Sequence, residues 1–264
     1  MKPETVYRYK GLNESGKALL LNQELYYCSY KQLNDPAEGN IELRYDLLQE
    51  DQLRAIITQV ANRGMPYVDA ETRSRMVNDK LMEFLANDRQ ELKRMSPLLH
   101  KQVSEFVGIV SLSTSSDNNL LWAHYADGHK GFCIGFNSEK LIRVSQATIS
   151  GAVSYSNELS QEELLPGYDE DLFVRNMIAT SFVKDMSWAY EKEFRLFKDP
   201  CYEGKRAFYF PADIVTSVSF GCRMPDGEKE LLIQHCRKLY PNAKLLQAYL
   251  PPNAMLVKFN EIGE

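Results

Sequence analysis

Val107-Gly-Ile-Val-Ser-Leu-Ser113 opens a β-rich second half of this chain, and this half decides the fold class. Apolar runs predict a strand here and another at Gly131-Phe-Cys-Ile-Gly-Phe136. Helical stretches at residues 118–126 and about 169–185 interrupt the strands. Because the helices and strands neither alternate regularly nor repeat, we predict an α+β fold with a mixed or antiparallel sheet core.

The first half predicts a different mixture of elements. From residue 41 to about 106, charged residues are interleaved with Leu, Ile, Val and Met, which predicts two or three helices broken at Gly64-Met-Pro66. We expect this segment to be a helical insertion or cap within a single domain that covers residues 1–264. The chain begins with a predicted strand, helix and strand at 5–10, 13–22 and 25–29. It ends with predicted strands at 149–155, 192–197, 207–210, 214–220 and near 245 and 256, and with a helix at 227–239.

Composition limits the classes of protein to which this chain can belong. Its 264 residues include 31 basic and 36 acidic side chains, for a net charge of −5, so no global positive field attracts nucleic acid or anionic lipid. The five cysteines form no C-x-x-C pair or zinc-ribbon spacing, which fits free thiols in a reducing compartment. The sequence shows no signal-peptide run and no stretch near the ~20 apolar residues that span a bilayer, so we expect a cytoplasmic protein without membrane contact.

Two carboxylates lie close together in Tyr190-Glu-Lys-Glu-Phe-Arg-Leu-Phe197. We predict that residues 188–195 form a strand, whose period of two would place Glu191, Glu193 and Arg195 on one face. Such a pair suits proton transfer, or one carboxylate holds a sugar hydroxyl while the other orients a nucleophile. The alternative is a solvated strand on which Arg195 neutralises the pair.

Three shorter features carry polar groups. The hydroxyls of Ser111-Leu-Ser-Thr-Ser-Ser116 either brace a catalytic carboxylate or form a turn or helix N-cap. Arg8, within an aromatic strand, either clamps a phosphate or carboxylate or points to solvent at a sheet edge. In Leu33-Asn-Asp-Pro-Ala-Glu38, Asn34 or Asp35 either caps its own turn or faces a substrate.

Aromatic and imidazole side chains are concentrated in Leu120-Leu-Trp-Ala-His-Tyr-Ala-Asp-Gly-His-Lys-Gly131. Trp122, His124, Tyr125 and His129 either form a pocket for a planar ring or have structural roles, and the two histidines are also candidates for a metal site. Because the helix is predicted to end before the second histidine, the two imidazoles are not expected to share one helix face.

Together these segments resemble a mainly bacterial family known as domain-of-unknown-function family 2971. The resemblance rests on Tyr7-Arg-Tyr9, Leu33-Asn-Asp-Pro-x-Glu38, Leu121-Trp-x-His-Tyr-Ala-x-x-His-x-Gly131 and Trp188-x-Tyr-Glu-x-Glu-x-Arg195. It spans residues 5–200 and implies no activity.

A second resemblance does imply an activity. Arg8, Ser113-Thr-Ser115 and Glu191-x-Glu193 follow the chain order of the arginine–serine–glutamate class of ADP-ribosyltransferases. The resemblance implies a split sheet, NAD as a substrate and a macromolecular acceptor, either protein or nucleic acid. It also implies an intracellular toxin or phage-defence effector, with an antitoxin or immunity protein as its partner.

The same resemblance assigns roles to individual residues. Arg8 would pair with a phosphate of NAD, while Ser113 or Ser115 would hold Arg8 and the glutamate in place. Glu193 would accept a hydrogen bond from the 2′-hydroxyl of the nicotinamide ribose and stabilise an oxocarbenium-like transition state. Glu191 would orient or deprotonate the acceptor. The other residues expected to bind NAD are Tyr7, Thr114, Trp122, His124 and Tyr125.

Two other classes of function fit the same residues. A metal-dependent hydrolase or nuclease would require convergence of ligands chosen from Asp35, Glu38, His124, His129, Glu191 and Glu193. A non-enzymatic recognition module would keep the aromatic and histidine cluster but have no cleft beside Glu193. The transferase predicts instead that Arg8, Ser113 and Glu193 line one cleft that needs no metal.

Overall fold

The computed structural model describes residues 2–38, 44–86, 105–158 and 181–263. Within them the strands are β1 (Thr5–Lys10), β2 (Glu24–Tyr26), β3 (Gly108–Ser113), β4 (Phe132–Asn137), β5 (Ile149–Ala152), β6 (Ser154–Tyr155), β7 (Val183–Lys184), β8 (Glu193–Lys198), β9 (Ala207–Tyr209), β10 (Val215–Phe220), β11 (Lys244–Tyr249) and β12 (Lys258–Glu261). The α-helices are α1 (Glu14–Leu21), α2 (Glu50–Gly64), α3 (Ala70–Ala86), α4 (Asn119–Tyr125), α5 (Ser138–Ser145) and α6 (Asp226–Leu239).

The main sheet has eight strands in the order β12-β11-β10-β4-β1-β3-β8-β5. Every neighbouring pair is antiparallel except β10 and β11, which are parallel. Two small ladders join β2 with β9 and β6 with β7. The predicted α+β fold with a mixed sheet is therefore confirmed.

One face of the sheet supports the main hydrophobic core. Leu112 of β3 and Phe194 of β8 pack in one cluster with Leu20 of α1 and Cys236 of α6, and all four are at most 3% exposed. The side chains of a strand point alternately to its two faces. The residues between these apolar positions therefore face the opposite side of the sheet.

That opposite face changes from apolar to polar along β3 and β8. The first of three cross-strand pairs on it, Ile109 with Phe197, lies in a hydrophobic cluster. The next two pairs along the strands are Ser111 with Arg195 and Ser113 with Glu193. Polar and charged side chains are thus placed in the interior, where they need partners.

The segment predicted to be a helical insertion contains α2 and α3, which pack together around their own apolar cluster. Leu53 and Ile57 of α2 and Leu81 and Phe84 of α3 are buried there. Residues 87–104, also predicted to be helical, lie outside the described residues, as do residues 39–43. The single-domain organisation of residues 1–264 stays a prediction.

Local sequence signals explain several element boundaries. Asn13 caps α1, and Asn118 caps α4 through hydrogen bonds from Leu120 N and Leu121 N. Helix α5 was not predicted, although Asn137 caps it by accepting a bond from Lys140 N. The predicted helix at 169–185 falls mostly within residues 159–180, outside the described residues. Of its described end, residues 181–182 are helical as predicted, but the prediction is wrong at Val183–Lys184, which form strand β7.

Across the described ranges, none of the helices combines the length and the apolar character needed to cross a membrane.

Candidate functional site

A cavity of about 300 Å³ lies beside β1 and β3. These two strands are registered through the single pair Tyr7 and Ser113, whereas β1 pairs with β4 along its whole length. Past that pair, residues of both strands line the cavity and form no further ladder pairs with each other. The charged and imidazole side chains of the lining are Arg8, Lys10, His124, Lys184, Glu191 and Glu193.

One wall of the cavity belongs to a buried charge cluster formed by Glu38, Lys184, Glu191, Glu193 and Arg195. The side chain of each is at most 7% exposed. Lys184 Nζ lies 2.7 Å from Glu191, 3.2 Å from Glu38 and 3.3 Å from Glu193. Arg195 donates to Glu193 from Nε at 2.6 Å and from Nη2 at 2.9 Å, and Nη2 also donates to Glu38. Every charge in the cluster therefore has a partner of opposite sign.

Four members of the cluster lie within residues 184–195, and Glu38 comes from a distant part of the chain. Glu193 and Arg195 alternate on β8, while Lys184 ends the short strand β7. Glu38 follows a turn in which Asp35 accepts a hydrogen bond from Ala37 N, so Asp35 caps its own turn. These contacts tie that turn, β7 and β8 together through buried ion pairs.

The predicted strand over residues 188–195 is only half correct. Met186–Glu191 forms a 3₁₀ helix, Lys192 has a left-handed backbone with φ of 46°, and β8 begins at Glu193. The two glutamates are therefore not brought together by the period of a strand. They converge because the turn at Lys192 folds Glu191 back onto Lys184, which binds both carboxylates.

Hydrogen bonds to the main chain hold this turn in place. Ser113 Oγ donates to the Glu191 carbonyl at 2.6 Å, and Thr114 N donates to the Lys192 carbonyl at 3.0 Å. Ser115 N donates to Ser113 Oγ at 3.1 Å. The serine run therefore positions the backbone of the glutamate segment and does not contact the glutamate carboxylates through Ser113.

Ion pairing within the buried charge cluster keeps Glu193 and Lys184 ionised. Burial by itself would raise the pKa of Glu193, but Arg195 and Lys184 outweigh it and hold the pKa at about 2. Burial would lower the pKa of Lys184, but Glu193, Glu38 and Glu191 raise it above its ordinary value. With three carboxylates and two cations, the cluster has a formal charge of −1.

Glu191 is also linked to the aromatic helix α4. Tyr125 Oη donates to Glu191 Oε1 and accepts a bond from Asn34 Nδ2 at 2.7 Å. Burial, together with the neighbouring Glu191, raises the pKa of Tyr125 well above its ordinary value, so the phenol stays protonated as a donor. Asn34, Tyr125 and Glu191 thus form a hydrogen-bonded chain along the cavity.

The opposite wall is cationic and consists of Arg8 and Lys10. Arg8 donates from Nη1 to the Ser111 carbonyl, but its buried Nε has no hydrogen-bond partner among the described residues. Lys10 Nζ donates to Ser15 Oγ at 3.3 Å. Repulsion by Arg8, followed by burial, lowers the pKa of Lys10 to about 8. We call these two residues the cationic wall.

The other predicted site residues divide into two groups. Tyr7, His124 and Tyr125 line the cavity. Trp122 is fully buried in an apolar cluster, donates from Nε1 to the Ser116 carbonyl at 2.9 Å, and stacks on His129 with centroids 6.1 Å apart. These two rings have structural contacts, whereas the exposed His124 faces the cavity.

Three of the four carboxylates considered as metal ligands have protein cations as partners. Glu38, Glu191 and Glu193 surround Lys184 Nζ at 2.7–3.3 Å. Within the described ranges, no group of three or more His, Cys, Asp or Glu side chains is arranged to hold a metal ion.

Sequence reasoning missed two residues of the site. Lys184 lies in a segment with a helical pattern, and nothing local predicts that it meets three glutamates. Lys10 had a readable signal, because residues two apart on a strand share a face and Arg8 was already a candidate. Both residues line the cavity.

The model of the family described as "Protein of unknown function (DUF2971)" matches residues 121–196. This match confirms the predicted family resemblance over that span, which contains Tyr125, Lys184, Glu191, Glu193 and Arg195. No curated protein and no solved structure matches the chain. The resemblance to ADP-ribosyltransferases therefore gains no support from these comparisons.

Proposed function

We propose that the cavity is the site of an NAD-dependent ADP-ribosyltransferase that modifies an intracellular macromolecule. The observation that carries the proposal is that Arg8, Ser113 and Glu193, from the adjacent strands β1, β3 and β8, line one cavity. Ser113 is in register with both Tyr7 and Glu193, so the three motifs meet across neighbouring strands. Three motifs that are far apart in the sequence thus line one cavity, which supports the proposal.

The charge distribution of the cavity supports NAD as the ligand. The cationic wall is suited to phosphate, whereas the buried charge cluster on the opposite wall has a formal charge of −1. The nicotinamide end of NAD carries a cationic ring close to a phosphate, so its charges match both walls. A volume of about 300 Å³ is at the lower end for small-molecule sites and suits this end of NAD.

The chemical step breaks the bond between C1′ of the ribose and the nicotinamide nitrogen. The bonding electrons leave with nicotinamide, and the ribose develops positive charge in an oxocarbenium-like transition state. Glu193, held ionised by Arg195 and Lys184, stabilises that charge through its own negative charge. An acceptor nucleophile then bonds to C1′ and gives up its proton.

Glu191 is the proposed partner of the acceptor. Its Oε1 accepts from Tyr125 and its Oε2 accepts from Lys184, which leaves further lone pairs of this carboxylate for an acceptor proton. Glu193 already accepts two bonds from Arg195 and one from Lys184. We therefore assign Glu193 the electrostatic role and Glu191 the role of orienting or deprotonating the acceptor.

The proposed setting follows from the resemblance to intracellular bacterial enzymes of this class. The acceptor is a protein or a nucleic acid, and the protein acts as a toxin or phage-defence effector restrained by an antitoxin or immunity partner. The metal-dependent alternative is less favoured because three of its candidate ligands surround Lys184. The recognition module is less favoured because a cavity lies beside Glu193.

The test is label transfer from NAD carrying a radioactive adenylate phosphate to macromolecules of a cell extract. We expect the wild type to release nicotinamide and label acid-insoluble material, and Glu191→Gln to lower the rate by about 100-fold or more. Exposed Glu158, outside the cavity lining, supplies the matched control Glu158→Gln, which should retain full activity. Protease and nuclease digestion then identify the class of acceptor.

Two results would count against the proposal. Absence of both nicotinamide release and label transfer with the folded wild type would overturn it. Activity that a chelator abolishes, with NAD left intact, would favour the metal-dependent alternative. Thermal unfolding of Glu191→Gln must accompany the assay, so that lost activity is not confused with lost structure.

A further inference from the structure

The cationic wall contains two basic side chains that no carboxylate of the described residues pairs with. Arg8 and Lys10 occupy alternate positions of β1 and both line the cavity. Their hydrogen bonds go to a carbonyl and a hydroxyl, and neither forms an ion pair with a carboxylate of the described residues. Each of the five members of the buried charge cluster, in contrast, is paired. The cavity is therefore short of negative charge on one side only.

Lys10 has contacts at both its backbone and its side chain. A Cβ at Gly131 would lie 2.1 Å from the Lys10 carbonyl oxygen, so only glycine allows this approach to β1. On the side-chain end, Lys10 Nζ donates to Ser15 Oγ, which donates to Asn13 Oδ1 at 3.0 Å. These contacts place Lys10 near Arg8, its neighbour two positions along β1.

Two kinds of observation at the cationic wall indicate an anion-binding site. The described residues leave the guanidinium of Arg8 without a carboxylate partner, and its buried Nε without any hydrogen-bond partner. Arg8 and burial also make protonation of Lys10 unfavourable. A bound anion beside the two cations would reverse the penalty on the charged lysine. The N-terminus of α1, capped by the cavity-lining Asn13, adds further partial positive charge.

We propose that Lys10 and Arg8 together form a phosphate subsite, in which the bound phosphate holds Lys10 in its protonated form. The inference rests on the proposed function because it takes the bound phosphate to be a phosphate of NAD. The subsite itself requires only the phosphate group. Binding at a pH near 8 would therefore take up a proton, since a fraction of Lys10 is neutral in the empty cavity. The other titratable groups around Lys10 and the cavity are Tyr7, Tyr9, Cys28, His124, Tyr125, Lys184, Glu191 and Glu193.

Calorimetric titration with inorganic phosphate at about pH 8, in two buffers of different ionisation enthalpy, tests the inference. We expect the wild type to bind phosphate with proton uptake beyond that of phosphate itself. Lys10→Met should weaken binding by about tenfold or more and remove the additional proton uptake. The proton uptake that remains in this variant measures the contribution of phosphate itself. Lys10→Arg should keep the affinity but also lack the uptake, because arginine stays protonated.

Two further variants complete the comparison. Arg8→Gln should weaken phosphate binding by about tenfold or more. Lys17→Met, which removes an exposed lysine of α1 outside the cavity lining, should leave both affinity and proton uptake unchanged. Phosphate binding or proton uptake that survives Lys10→Met unchanged would overturn the subsite, as would a wild type that does not bind phosphate.

The subsite and the transferase can fail separately. If the wild type binds phosphate with this proton signature but never consumes NAD, the subsite stands and the proposed function falls. If NAD is consumed and Lys10→Met leaves the KM for NAD unchanged, the proposed function stands and Lys10 has no part in it.

Discussion

The two walls of the cavity deal with charge in opposite ways. The buried charge cluster joins three carboxylates and two cations through direct ion pairs, and all five side chains are at most 7% exposed. The cationic wall places Arg8 beside Lys10 with no carboxylate bound to either. Desolvated charges are tolerated where partners replace water, and every charge of the first wall has an ion-pair partner within the protein. The charges of the cationic wall have no such partners among the described residues. We therefore assign the buried charge cluster to the supporting structure of the site and the cationic wall to its binding surface.

Lys184→Met should be the most damaging change to stability. It leaves three buried carboxylates with only Arg195 as a cation, and removal of one member of a buried ion pair typically costs about 3–5 kcal/mol. Urea denaturation monitored by circular dichroism measures the free energy of unfolding.

The matched control is Lys140→Met, because Lys140 forms a 2.7 Å ion pair with Asp213 but is 49% exposed. An exposed pair contributes about 0–1 kcal/mol, so this variant should unfold at nearly the wild-type urea concentration. Equal losses from the two substitutions would show that the buried charge cluster contributes no more to stability than a surface pair.

Acid should weaken the buried charge cluster through Glu193. The pKa of Glu193 is about 2 in the folded protein against an ordinary value of 4.5, so the unfolded chain binds this proton first. The stabilisation is therefore complete above about pH 4.5 and is lost as the pH falls toward 2, by about 3 kcal/mol in all. Denaturation of the wild type and Glu193→Gln at several pH values from 5 to about 3 measures this. The variant should show the flatter profile, and parallel profiles would refute the assignment.

Tyr125→Phe should have a smaller effect on stability. It removes the hydroxyl that donates to Glu191 and accepts from Asn34, leaving one buried acceptor with fewer donors. Loss of such a bond costs about 1–2 kcal/mol in the free energy of unfolding. Tyr209→Phe, at a 70% exposed position, is the control and should change stability by less than about 0.5 kcal/mol. If the two variants are equally stable, the hydroxyl of Tyr125 does not connect the turn that contains Asn34 to the buried charge cluster.

The strands and helices with strong local patterns were predictable from sequence. The predicted first strand, residues 5–10, coincides with β1, and Asn13 caps α1 as predicted. The turn at Lys192 was not predictable in this way, because Tyr190-Glu-Lys-Glu-Phe-Arg195 alternates like a strand throughout. Its left-handed Lys192 is stabilised by tertiary hydrogen bonds, including Thr114 N to the Lys192 carbonyl, which no local pattern records.

The candidate site was predictable in its residues but not in its contacts. Glu191, Glu193 and Arg8 stood out as charges within apolar or aromatic segments, and all three line the cavity. Their partners did not stand out, because Lys184 and Glu38 are brought to β8 only by the folding of β7 and a distant turn. Ion pairs between residues more than a hundred positions apart depend on topology, and topology was predicted only as a fold class.

The effect of Lys10→Met on stability should have the opposite sign from that of Lys184→Met. Because the pKa of Lys10 is lowered to about 8 in the folded protein, its charged form disfavours folding below that pH. Between about pH 8 and pH 10 the unfolded chain binds more protons at Lys10, so wild-type stability should rise with pH relative to Lys10→Met. Added phosphate should abolish this relative rise, since it restores the charged lysine.

Urea denaturation of both proteins at pH 7, 8.5 and about 10, with and without phosphate, measures the difference. Identical pH profiles of the wild type and Lys10→Met without phosphate would mean that the repulsion between Arg8 and Lys10 is already relieved. The cationic wall would then not need an anion, and the two walls of the cavity would not differ as their contacts indicate.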